Sequence, residues 1–64
     1  MKKFIVIDYP AQASWLNETE KEVIEALGYD SDEETFEEVL GKVSGEYEVI
    51  EISEKGELRW LLEN

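Results

Sequence analysis

Carboxylates are the chemistry this sequence has in quantity: 17 Asp and Glu stand against six Lys and Arg in 64 residues, a formal net charge of -11 at pH 7. Neither His nor Cys occurs, which removes imidazole proton transfer, thiolate nucleophiles and the usual zinc ligands. Carboxylates, Lys and Tyr remain as acid/base groups, and none stands in a known catalytic motif. A carboxylate pair could cleave a glycoside, but a domain of this length offers little volume in which to bury a sugar. The expectation is a protein that is not an enzyme and uses no cofactor.

The acids are unevenly spread. Residues 1–17 carry Lys2, Lys3 and Asp8; residues 18–38 carry ten acids with Lys21 as their one base; residues 39–64 carry six acids and three bases. Asp30, Asp32 and Glu34 alternate like the first ligands of a calcium loop, but Thr35 stands where that loop needs Gly and Gly41 where it needs a bidentate Glu. No metal site is predicted. Ser31 followed by Asp32, Glu33 and Glu34 resembles an acidophilic kinase site, yet a helix-capping role accounts for it fully.

The elements that must hold these acids follow from hydrophobic spacing. Residues 3 to 8 are β-branched and apolar on both alternating faces, as in a strand covered on two sides, and Tyr9-Pro10 ends it. A loop through Ala13 leads to Trp15. Leu16, Glu20, Val23, Ile24 and Leu27 form one helical stripe, so a helix is expected over 17 to 27, capped by Asn17 with Glu20 and stopped by Gly28, with Tyr29 packing back on Ile24. Ser31 with Glu34 repeats the capping spacing before Phe36, Val39, Leu40 and Val43, which predicts a second helix over 32 to 43. Gly41 weakens its last turn, which is expected either to fray or to pack closely on a neighbour.

Residues 47 to 52 and 58 to 62 read as two strands of a hairpin whose loop has Gly56 available for positive φ, and Leu58, Trp60 and Leu62 mark the face that seeks the core. The expected architecture over residues 1–64 is a single α+β domain, a small two-layer sandwich of order β-α-α-β-β with a three-stranded sheet packed against two helices. The spacing leaves open which strand of the hairpin adjoins the first strand, with a lean towards an edge of the hairpin. Without disulfides or metal, a domain this short holds by packing alone.

Partners follow from charge. A chain so acidic is repelled by nucleic acid and by anionic lipid, so neither direct nucleic-acid binding nor a membrane role is expected. The apolar run Phe4-Ile5-Val6-Ile7 after Lys2-Lys3 is too short for a signal peptide, and with no Cys present the expected location is cytoplasmic. Like charges three or four apart on a helix cost a few tenths of a kcal/mol per pair, roughly 0.2–0.5, and Glu18/Glu22, Glu33/Glu37 and Glu34/Glu38 have that spacing.

Such a face either serves solubility alone or is used. If used, Glu18, Glu22, Glu25, Asp32, Glu33, Glu37 and Glu38 stand in for nucleic-acid phosphates before a basic, nucleic-acid-binding protein, with Trp15 either an apolar anchor or a cover for the small core. In size and charge alone the chain is similar to small phage-encoded inhibitors of host nucleases, restriction enzymes and CRISPR effectors. That similarity implies an inhibitor or regulator that mimics DNA in an anti-defence role. The alternative is an interaction module, monomeric or homodimeric, that docks through its sheet edge or through the Tyr9–Trp15 loop while acidity serves solubility.

Overall fold

The computed structural model describes residues 2–63. The chain order is β1 (Lys3–Asp8), β2 (Ala13–Asn17), α1 (Glu20–Ala26), α2 (Phe36–Lys42), β3 (Tyr47–Ile52) and β4 (Leu58–Leu62). The domain is α+β and two-layered, but the sheet has four strands where the hydrophobic spacing predicts three, in the order β2-β1-β3-β4 with every neighbour antiparallel. The open question of strand order resolves with β1 beside β3, in register from Lys3 opposite Ile52 to Asp8 opposite Tyr47.

The added strand, β2, lies where the spacing predicts a loop and the start of a helix. Pro10 does end β1, but the chain reverses within four residues instead of leaving the sheet. Asp8 Oδ1 accepts from the Ala11 N–H at 3.1 Å, Tyr9 O accepts from the Gln12 N–H at 3.2 Å, and Gln12 takes a left-handed φ of 54°. An Asp side chain that accepts from the backbone of a following residue favours such a turn. Trp15 and Leu16 are therefore strand residues, opposite Val6 and Ile5.

Both helices are shorter than their apolar spacing suggests, and both start at a Thr. Asn17 cannot cap α1, because it is a buried member of β2 opposite Phe4, and its Nδ2 finds no partner among the described residues. Thr19 caps instead, its hydroxyl accepting from the Glu22 N–H at 3.1 Å, while the Glu22 carboxylate accepts from the Glu18 N–H at 2.8 Å. At α2 the cap is Thr35 and not Ser31. Thr35 Oγ1 accepts from the Glu38 N–H at 3.2 Å and Glu38 Oε1 from the Thr35 N–H at 3.0 Å, a complete capping box. Ser31 instead donates to Glu25 at 2.8 Å, and residues 30–34 form turns closed on the Asp30 carbonyl.

The stop of α1 is as expected. Gly28 at φ 90° sends its N–H to Glu25 O at 3.0 Å, and Tyr29 sends its own to Ile24 O at 3.1 Å, the paired bonds of a Schellman motif. The β3–β4 hairpin also matches, with Gly56 at φ 85° in a loop closed by Ser53 and Glu57.

One face of the sheet packs on the helices. Phe4, Val6 and Val49 meet Val23, Ile24, Leu27, Val39 and Val43 there, and Phe36 sets its ring edge-on to Phe4 at 5.7 Å between centroids. Tyr47 borders this layer opposite Asp8; burial first, then the Asp8 charge, pushes its hydroxyl pKa up. Among the described residues the other face carries no helix, so β1 is covered by helices on one side and not on two. A register shift between Val49 and Ile50 splits β4 accordingly. Leu62 pairs with Val49 on the core side, whereas Trp60 pairs with Ile50 on the open side and is 45% exposed. The expectation that Trp60 belongs to the core is therefore corrected: alternation identifies its face, but the bulge turns that face outward.

Among the described residues nothing lies within 4 Å of where a Cβ of Gly41 would stand, so it serves no close packing with them. Gly41→Ala is expected to stabilise the fold by about 0.5–1 kcal/mol, read as a rise in Tm by circular dichroism. Thr35→Ala is expected to cost about 1 kcal/mol through loss of the cap, seen as a Tm shift of opposite sign.

Candidate functional site

The two Thr caps and the Gly28 stop determine where the acids fall. Glu22 and Glu25 lie on α1, Glu37 and Glu38 on α2, Glu18 in the step from β2 to α1, and Asp32 and Glu33 in the turns between the helices. All seven are exposed. They lie on the two helices or in the segments that lead into them, and among the described residues none of the seven forms an ion pair. Lys42 pairs with Glu34 and lies 5.3 Å above the Tyr29 ring, so the nearest base of α2 is already engaged.

The expected repulsive pairs are not helical pairs. Glu18 precedes α1, and Glu33 and Glu34 precede α2, so none of Glu18/Glu22, Glu33/Glu37 and Glu34/Glu38 is held at the spacing of a helical turn. Shortened helices relieve part of the like-charge cost that long ones would carry.

Several acids have local structural work. Glu22, Glu25 and Glu38 accept the capping and turn bonds already described, and Asp30 Oδ1 accepts from the Asp32 N–H at 2.8 Å. Hydrogen bonds from the Thr35 backbone first, and its side chain second, hold the Glu38 carboxyl below the ordinary glutamate range. Because the folded pKa is the lower one, the cap's contribution is present above the ordinary range and is lost as pH falls through the folded value. The carboxylates of Glu18, Asp32, Glu33 and Glu37 take no part in these caps and turns.

The sequence places Trp15 in a loop, whereas in the structure it lies on β2 opposite Val6. Paired residues of antiparallel strands share a face, so its indole emerges on the helical side of the sheet at 39% exposure. That sets a half-exposed aromatic on the same side as the acids. A shallow concavity of about 380 Å³ lies between Lys2, Phe4, Glu18, Thr19 and Glu20.

Asp30, Asp32 and Glu34 do not converge. Asp30 turns to the Asp32 backbone and Glu34 to Lys42, and among the described residues no group of three or more carboxylates is placed to hold a metal ion. Among the same residues no helix is long and apolar enough to cross a membrane. Compared with known proteins, the chain matches no family model, no curated protein and no solved structure.

The charge makes its own prediction. Raising NaCl from about 0.01 M to about 0.1 M contracts the Debye length from about 30 Å to about 10 Å, which screens the acids from one another across the helical layer. Tm is expected to rise by a few degrees over that range in calorimetry. A falling Tm would mean that attractive ion pairs such as Glu34–Lys42 outweigh the repulsion.

Proposed function

We propose that this chain is a non-enzymatic, cytoplasmic binding protein that inhibits or regulates a basic, nucleic-acid-binding protein by offering its acidic helical side in place of phosphates, in the manner of phage-encoded DNA mimics. The observation that carries the reading is the exposure of all seven acids around one layer of the fold, with none of them in an ion pair among the described residues. A partner's Lys and Arg would meet carboxylates that are not already neutralised, and release of counterions from both surfaces would add to the attraction. Trp15, emerging on the same side, is the apolar anchor of the contact.

The acids that also cap helices divide the surface. Glu22, Glu25 and Glu38 are tied to the backbone or to Ser31, so changing them confounds binding with folding. Asp32, Glu33 and Glu37 are the cleaner probes.

The test uses immobilised full-length chain to retain basic proteins from a cell extract, followed by elution with duplex DNA. Duplex DNA is expected to displace the retained partner competitively. The triple variant Asp32→Asn, Glu33→Gln, Glu37→Gln should bind it more weakly and with a flatter dependence on log salt, because the slope scales with the number of charges neutralised on binding. A partner that binds the variant as well as the parent, and ignores both salt and DNA, would refute the reading.

A further inference from the structure

The face of the sheet turned away from the helices is apolar. The register sets Leu16, Ile5, Ile50 and Trp60 side by side in one row across all four strands, with Ile52 and Leu58 beside them. Ile50 is only 7% exposed although it lies outside the core cluster, so its neighbours in the row shield it. Leu16 and Leu58 remain 60% and 54% exposed. The charges that strand pairing places on this face are Lys3, on β1 opposite Ile52, and Glu48, opposite Ile7. They cancel, in a chain whose net charge is -11.

We infer that this face binds a second copy of the chain, sheet against sheet, about a two-fold axis. Charge selects that occupant first. Two copies repel wherever their helical layers meet, whereas the sheet faces bring no net charge together. Area agrees. A slab of 30 × 26 × 16 Å has about a quarter of its surface on each broad side, roughly 1000 Å² of the 4314 Å² here, and a stable pair needs about 800 Å² per partner.

Charge geometry is the third argument. Lys3 and the Ile7–Glu48 pair lie at opposite ends of the face. A two-fold axis lying in the interface and crossing the strands reverses their direction, so Lys3 of each copy comes over the Glu48 end of the other. The assembly leaves both helical layers outward, and so carries acidic surface on two opposite sides. It goes beyond the acidic-surface reading and does not depend on it.

Sedimentation equilibrium of the full chain, from micromolar to millimolar, tests the pairing. The mass is expected to climb from 7.4 kDa towards twice that value, and to do so at lower concentration when salt is added, whereas salt weakens capture of a basic partner. Trp60→Glu should weaken pairing roughly thirty-fold or more, as loss of a buried aromatic anchor does, with an unchanged far-ultraviolet spectrum. Should that variant not fold, Leu58→Glu at a more exposed position makes the same test.

Lys3→Glu and Glu48→Lys should each weaken the dimer, and the double exchange should restore it. A mass that stays at 7.4 kDa to millimolar concentration overturns the proposal. So does a dimer indifferent to both Trp60→Glu and Leu58→Glu. A monomer whose open face binds an apolar dye, with the signal abolished in Trp60→Glu, would assign the face to a different protein and overturn the dimer as well.

Discussion

Everything in this fold rests on one thin apolar seam, in which Val6 and Val49 of the central strands meet Val23 and Val39 of the two helices. Among the described residues these four valines are the largest side chains that are fully buried. Helices of seven residues are far below the length at which a helix persists alone in water, so α1 and α2 exist because this seam holds them. It must do so against the mutual repulsion of the acids above it. The caps at Thr19 and Thr35 and the Schellman stop at Gly28 supplement the seam, because each satisfies backbone groups that such short helices leave unpaired.

That single seam divides the molecule into unlike sides. The helical side collects the carboxylates, with Trp15 at its border; the sheet side gathers Leu16, Ile50, Leu58 and Trp60 with charges that cancel. Two helices cover one face of a sheet and cannot cover both. Apolar residues on the second face therefore shield one another, as Ile50 shows, or meet another surface. A charged side suited to steering and an apolar side suited to burial are physically separate, and changes of salt act on them in opposite directions.

The acids carry two kinds of duty at once. Glu20, Glu22, Glu37 and Glu38 stand in the positive first turns of their helices, and Glu22 and Glu38 also satisfy backbone donors there, which accounts for part of the acidity without any partner. Neither capping nor a first-turn position explains Glu18, Asp32 and Glu33, and on them above all the recognition reading turns. Their positions are legible as a charged stretch, since residues 18–38 hold ten acids. Their arrangement is not, because a spacing of four implies neighbours on a helix only if the helix reaches both residues, and here it does not.

Local chemistry is readable from the chain by itself: the Gly28 stop, the β3–β4 hairpin around Gly56, the apolar stripes from Val23 to Leu27 and from Phe36 to Val43, though not Leu16, and the lack of His and Cys all follow from residue types at short range. Which Ser, Thr or Asn caps a helix is ambiguous at that range, since Asn17 and Thr19, or Ser31 and Thr35, offer equivalent oxygens. Only the pairing of Asn17 with Phe4 in β2 withdraws the first of them. The outward turn of Trp60 is likewise a tertiary decision. Alternation says that Leu58 and Trp60 share a face, but which face meets the helices depends on strand register and on one bulge, and register is set by contacts between residues far apart in the chain.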